Sequence, residues 1–296
     1  MTSVLYDAPG PVARRRELWG SVIGSVVVLA LLAVGAVAAA RNGVFGADRW
    51  DVLYDPPKQT AADVWRSLLV TGLGATLRAA ALAAPLALAL GVALAVWRST
   101  RLRALRVPAV GVIELFRGVP VLLMMFFALL ALKLSSFEAV VFGLVVYNMA
   151  IVAEILRAGL AALPKGQAEA AYALGLSRPQ TLFTILLPQA VRLMMPSLVA
   201  QMVVLLKDSS LGFIVGYQEL LKVIQNNSYF YGNNYAFALF AVGTVVYLTV
   251  NLSLSWFARW LARRTSAQGN PEAVAEAAQR PGTGAGTGAD ASGRPV

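Results

Sequence analysis

Long uncharged apolar runs alternate along this chain with short stretches that collect nearly all of its charge, a pattern that predicts spans buried in lipid rather than one-sided helices on a soluble core. The first run, residues 20–40, is rich in Val, Ala and Leu and long enough to cross a bilayer. A second is predicted from about Ser67 to Trp97, with Arg78 inside it and Pro85 as a kink point, because proline removes one helical hydrogen bond. A third is predicted over Val110 to Leu134, a fourth over Phe137 to Leu163, a fifth from about Leu193 to the run Leu206–Ser210, and a sixth over Tyr235 to Trp260. Backbone in lipid must satisfy its hydrogen bonds internally, so the predicted fold class is all-α: a polytopic membrane protein with about six transmembrane helices.

The polar stretches set the organisation. Residues 1–19 carry Arg14, Arg15 and Arg16 ahead of the first span, whose length favours a retained anchor over a signal peptide despite the small residues Ala38, Ala39 and Ala40. Residues 41–66 read as a charge-balanced soluble loop centred on Pro56 and Pro57, and Gly216 to Asn234 as a polar, Asn-rich loop. Residues 265–296, rich in Gly, Ala, Thr and Pro, are expected to be disordered. Segments 1–19, 98–106, 157–192 and 259–296 hold 16 of the 25 Lys and Arg, so the positive-inside rule places both termini and residues 157–192 in the cytoplasm and 41–66 outside it. The net charge of +10 is then a topological signal and implies no nucleic-acid partner.

Composition removes much chemistry. With 58% apolar and 14% charged residues the chain lies outside the soluble range. It has no Cys and no His, which excludes disulfides, thiol nucleophiles and the commonest metal ligand, and no metal site is expected. No Gly-x-x-x-x-Gly-Lys-Ser/Thr occurs, so the chain has no phosphate-cradling loop and no catalytic residues are assigned.

One moderately polar stretch stands out between the fourth and fifth spans, Glu169 to Pro188. Glu169-Ala170-Ala171 opens a run of good helix formers through Leu174, Gly175 supplies a bend, and Ser177-Arg178-Pro179 reads as an N-cap with proline in the first turn of a second helix. The prediction is a cytoplasmic hairpin, residues 164–190. Leu174, Leu176, Leu182, Ile185 and Leu186 would form its apolar side, leaving Glu169, Tyr172 and Arg178 to water or a partner. Ala-x-x-Leu-Gly-x-Ser also occurs in DNA-binding helix-turn-helix units, but these need a soluble domain and cations aimed at phosphates, and here hydrophobic spans flank both sides.

The spacing Glu169-Ala170-Ala171, three residues, Gly175, nine residues, Ile185-Leu186-Leu187-Pro188 resembles the signature of ABC-transporter permease subunits. Three more blocks, Glu114 to Pro120, Glu154 to Gln167 and Leu205 to Leu211, are similar in order to further signatures of the permeases of polar amino-acid ABC importers. The family's five-span core would correspond to residues 67–260. The first span and its loop, with the start Ser3 to Pro11, resemble the amino-terminal segment of glutamate-import permeases. This resemblance implies an ABC importer type I permease fold in a bacterial-type plasma membrane. It also implies a permease dimer, formed with itself or with a second permease, two docked ATP-binding subunits, and an extracytoplasmic solute-binding protein that delivers an amino-acid substrate. ATP and Mg would be held by the partner ATPase, with no cofactor on this chain. The residues it assigns to ATPase coupling are Glu169, Ala170, Ala171, Gly175, Ile185, Leu187 and Pro188.

Ionisable groups within spans are costly and are candidates for function. Glu114 with Arg117, and Glu154 with Arg157, have i, i+3 spacing near span ends, which favours structural ion pairs. Lys207, Asp208 and Ser209 lie deep enough to line a substrate pathway, together with Arg78, Asn148 and Gln201. Alternatively Lys207 and Asp208 cap a broken helix end with Ser209 and Ser210 satisfying backbone groups, and Arg78 snorkels to the outer interface. The amino-terminal resemblance implies glutamate; independently, two cations against Asp208 would leave one for a substrate carboxylate, so an acidic amino acid is expected, glutamate ahead of aspartate, with neutral polar amino acids such as glutamine next. The rival functions are a stand-alone ion-coupled secondary transporter, for which no inverted repeat is visible, and a membrane-bound regulator using the hairpin on DNA.

Overall fold

The computed structural model describes residues 10–266 of the 296. The segments 1–9 and 267–296, and with them most of the predicted tail, lie outside that range. Every regular element among the described residues is helical. Five helical runs among the described residues are long and apolar enough to cross a membrane, and a bent pair passes the same test only when its two helices are counted as one, which agrees with the roughly six spans of the hydrophobic pattern. The described residues fall into two compact units, one from those up to Ala75 together with Gln218–Tyr247, the other from Thr76–Tyr217 together with those from Leu248 on.

In the first unit, α1 (Pro11–Arg41) has none of its apolar window buried. Residues 41–66 differ from the expected soluble loop. Two 3₁₀ turns, Ala47–Arg49 and Asp51–Leu53, lead to α2 (Ala61–Arg66), whose start is fixed by a reciprocal cap between Thr60 and Asp63. From α2 the helix widens into a π segment, Ser67–Leu73, and continues as α3 (Gly74–Arg98), remaining helical through Pro85. Val52, Val64 and Leu68 are fully buried against Leu220, Val223, Ile224 and Tyr231, so the loop carries a core.

The second unit is built around α6. After α3 come α4 (Arg103–Gly118) and α5 (Val121–Leu130), bent by 98° where a straight third span was expected. The cause is local: Pro120 offers no N–H to the turn before it and holds Val119 extended at φ −92°, ψ 127°. Next, α6 (Ser136–Ala162) begins at a Ser135–Glu138 capping box and matches the predicted fourth span. Close approach to α6 is made by small residues: a Cβ on Gly91 of α3 would stand 2.6 Å from Val152 Cβ, and one on Gly143 of α6 would stand 3.1 Å from the Met125 backbone nitrogen.

The remaining elements are α7 (Lys165–Ala173), α8 (Arg178–Gln180), a π segment Thr181–Leu186, α9 (Leu187–Asp208) with a 3₁₀ turn Ser209–Phe213, α10 (Leu220–Tyr231) and α11 (Ala236–Ser266). From Arg178 to Phe213 the chain is one 36-residue helical run, so the hairpin's second arm is the beginning of the fifth span and not a separate short helix. In the first unit, α10 replaces the polar loop expected over Gly216 to Asn234. Several of its polar residues enter side-chain contacts, Asn227 Nδ2 donating to Ser67 Oγ at 2.7 Å and the Tyr231 hydroxyl to Gln59 Oε1 at 2.9 Å.

Candidate coupling hairpin and polar groups within the spans

The hairpin tip is closed by backbone geometry that glycine makes inexpensive. Helix α7 ends with Gly175 at φ +80°, the Leu176 N–H donating to Ala171 O at 3.1 Å and the Gly175 N–H to Tyr172 O at 3.0 Å, the paired bonds of a Schellman end. No atom lies within 4 Å of where a Gly175 Cβ would stand, so the demand at this position is conformational and not one of space. Ser177 then caps the second arm: its N–H and hydroxyl both donate to Gln180 Oε1, at 2.8 and 2.7 Å. The Arg178 guanidinium lies 5.6 Å from the Tyr172 ring centroid, tying the two arms together.

Ahead of Pro188, which has no N–H to give back to the helix, the ladder loosens into the π segment Thr181–Leu186. Side chains take up carbonyls there, Thr184 Oγ1 donating to Gln180 O at 2.6 Å and Gln189 Nε2 to Ile185 O at 2.9 Å. Of the predicted coupling residues, Glu169, Ala170, Gly175 and Pro188 are exposed, Ile185 and Leu187 half-buried, and Ala171 buried. Leu174 corrects the expected apolar side. It is 82% exposed at the tip, with Tyr172 and Phe183 also exposed, so the hairpin ends in an exposed apolar knob.

Along the spans, Glu154 is the hub of a charge network. Its carboxylate accepts from Arg98 at 2.8 Å and pairs with Arg157 at 2.6 Å, and Arg117 lies 4.0 Å away while also reaching Glu114 at 3.6 Å. Both predicted i, i+3 pairs are present. Arg98 was missed because it is 56 residues distant in sequence, although its place at the end of α3 among Arg101, Arg103 and Arg106 was visible. Asn148 is fully buried and accepts from Gln201 Nε2 at 2.8 Å while donating to Leu144 O at 2.7 Å, so two pathway candidates are brought together. Ser209 and Ser210 donate to Leu206 O and Lys207 O at 2.7 and 2.8 Å, and thus satisfy backbone groups where α9 gives way to its 3₁₀ turn. Lys207 is exposed and Asp208 half-buried on that turn. The Arg78 guanidinium stands 4.9 Å from the Phe137 ring centroid, beside the first turn of α6.

Helix α6 serves as a ruler for these groups. At 1.5 Å per residue, Asn148 lies about 17 Å and Glu154 about 26 Å along the axis from Phe137. A hydrocarbon core is about 30 Å thick, so a bilayer bordered by Arg78 with Phe137 at one end of α6 and by the Glu154 network at the other would have the Asn148–Gln201 pair near its middle.

Residues 87–267 match the family described as binding-protein-dependent transport system inner membrane component. The chain belongs to that family. It is 42% identical over 223 residues to the glutamate transport system permease protein of Corynebacterium glutamicum, covering 72% of this chain and 78% of that one. It is 34% identical over 154 residues to the glutamine transport system permease protein of Escherichia coli, covering 50% and 69%. In three dimensions it is similar to a chain from the crystal structure of an amino acid ABC transporter with histidines, with a TM-score of 0.62 and 26% identity, covering 69% of this chain and 97% of that one. A methionine ABC transporter in an inward-facing conformation gives a TM-score of 0.58 at 20% identity over 70% and 99% of the two chains, a likeness of fold. The chain is therefore a multi-pass membrane permease subunit of an ATP-driven importer, and hydrolysis belongs to a separate subunit. The stand-alone secondary transporter and the DNA regulator are set aside by this assignment.

Proposed function

We propose that this chain forms the translocation pathway of an importer for acidic amino acids, glutamate first, with the hairpin 164–190 transmitting ATP-driven motion from its partner. The observation that carries the reading is the 42% identity to a glutamate permease over most of both chains, supported by a hairpin whose apolar Leu174 tip is left exposed. The substrate preference rests on that relative and not on a count of cations, since Arg78 is engaged with Phe137 at the border of α6. Asn148, Gln201, Lys207, Asp208 and Ser209 are the groups nearest the middle and outer half of α6 and α9, and they are the proposed pathway. In the proposed assembly two permease subunits, alike or different, carry two ATP-binding subunits that hold ATP and Mg, and a solute-binding protein docks outside. Both termini and the hairpin face the cytoplasm, as the distribution of Lys and Arg supports.

The test is ATP-driven uptake of labelled glutamate by the reconstituted complex, with glutamate, glutamine and arginine as competitors. Glutamate competing best, then glutamine, is the expected order; arginine competing best contradicts the substrate reading.

A further inference from the structure

We propose that α4 is an interfacial helix that lies flat in the cytoplasmic leaflet and docks on anionic phospholipid headgroups through Arg101, Arg103 and Arg106. The orientation proposed above decides only which leaflet this is. The first observation is direction. Helix α5 has 10 residues, about 15 Å, too short to cross alone, and α4 meets it at 98°, so if either is steep in the bilayer the other runs along it.

The second observation is depth. The C-terminal end of α4 is level with Glu154 through Arg117, about 26 Å along α6 from Phe137 and so at the border of the hydrocarbon. Its buried residues Ala109 and Ile113 hold it there, Ile113 packing with Leu94, Ala153 and Leu156.

The third is the division of its surface into three faces. At 3.6 residues per turn, Arg103, Arg106, Glu114 and Arg117 share an edge of about 80°. Beside it, Ala104, Val107, Pro108, Gly111 and Leu115 form an exposed face of about 100°, opposite Ala109 and Ile113. An edge of charge beside an exposed apolar face is the surface of a helix lying at a lipid–water boundary, where apolar side chains enter the acyl border and arginines reach phosphates. The exposed Arg101, Arg103 and Arg106 have no acidic residue within the stretch 99–113, so an anionic lipid supplies the complementary charge.

The chain has no cysteine, so once the partner subunits are made cysteine-free or labelled separately, a single introduced cysteine reports this chain alone. In the complete transporter, reconstituted in nanodiscs of phosphatidylcholine and phosphatidylglycerol, a nitroxide at Val107→Cys is expected to collide with both oxygen and a water-soluble nickel chelate. A bimane at the same site is expected to be quenched more by brominated phosphatidylglycerol than by brominated phosphatidylcholine. That preference should fall by up to about fivefold for each of Arg101→Gln, Arg103→Gln and Arg106→Gln and survive the corresponding Lys substitutions. A label reached by neither reagent means a protein partner covers the face; a label reached by oxygen alone means full immersion; equal quenching by the two lipids means no headgroup selectivity. Each of these overturns the proposal. Labelling of Ser99→Cys by an impermeant maleimide from the outer side would overturn the leaflet. None of these readouts measures transport, so failure of the substrate reading leaves them unaffected.

Discussion

Gln201 donates to Asn148 across 2.8 Å, joining α9 to α6 about 17 Å along α6 from Phe137. Each amide satisfies the other where α6 packs on α9, and interhelical bonds of this kind contribute about 1 kcal/mol in membranes. Asn148→Leu or Gln201→Leu alone strands its partner and is expected to lower stability by about 1–2 kcal/mol, whereas the double substitution costs less than the two singles together. Thermal unfolding of the four proteins in detergent measures the coupling; additive effects would show that the pair does not hold the helices.

Packing of α3 on α6 gives a sharper contrast between two glycines. A Cβ at Gly91 would meet Val152 Cβ at 2.6 Å and Met149 O at 3.0 Å, neither of which is a flexible side-chain end, while one at Gly111 of α4 meets nothing within 4 Å. Gly91→Ala is expected to destabilise by about 1–3 kcal/mol from overpacking. Gly111→Ala should be neutral or stabilising by about 0.5–1 kcal/mol through helix propensity. Melting temperatures of the two variants in the same detergent decide the matter.

Glu219 is a source of pH dependence outside the spans. Its side chain is fully buried at the start of α10, and burial pushes its carboxyl up to about 7, against the downward pull of the Leu221 and Lys222 N–H groups at 2.9 and 2.7 Å. Because the folded value lies above the ordinary value of 4.5, the folded chain binds more protons between the two, so this contribution is complete below pH 4.5 and is lost as pH rises through about 7. The protein is expected to melt at lower temperature at pH 8 than at pH 5, and Glu219→Gln should flatten the difference. A pH dependence unchanged by that substitution would assign it to another group.

Much of this architecture is legible in the sequence where the signal is local. The Gly175 turn and the Ser177 cap follow from residue types at adjacent positions, and the spans follow from length and apolarity. The break at Val119–Pro120 was also written in the chain, in a proline preceded by a residue it forces out of the helix, but a hydrophobic window averages over it. Helix α10 was hidden by its Asn and Tyr residues, although Leu220, Val223 and Ile224 carry helical spacing. Arg98 at Glu154, and the outward turn of Leu174, depend on how distant segments are placed, which spacing does not encode.

The hairpin tip is the surface proposed for docking of the ATP-binding subunit, and Leu174 tests this most directly. At 82% exposed, Leu174 contributes almost nothing to packing within this chain, so Leu174→Asp should leave folding and insertion intact. If the side chain is buried in the partner, losing it removes about 1.5–3 kcal/mol of apolar burial and a charge is stranded besides. The measurement is the amount of ATP-binding subunit that copurifies with tagged permease in detergent. At least a tenfold drop for Leu174→Asp relative to the unmodified chain is the expected result. Equal retention of the ATP-binding subunit by the two would contradict the account.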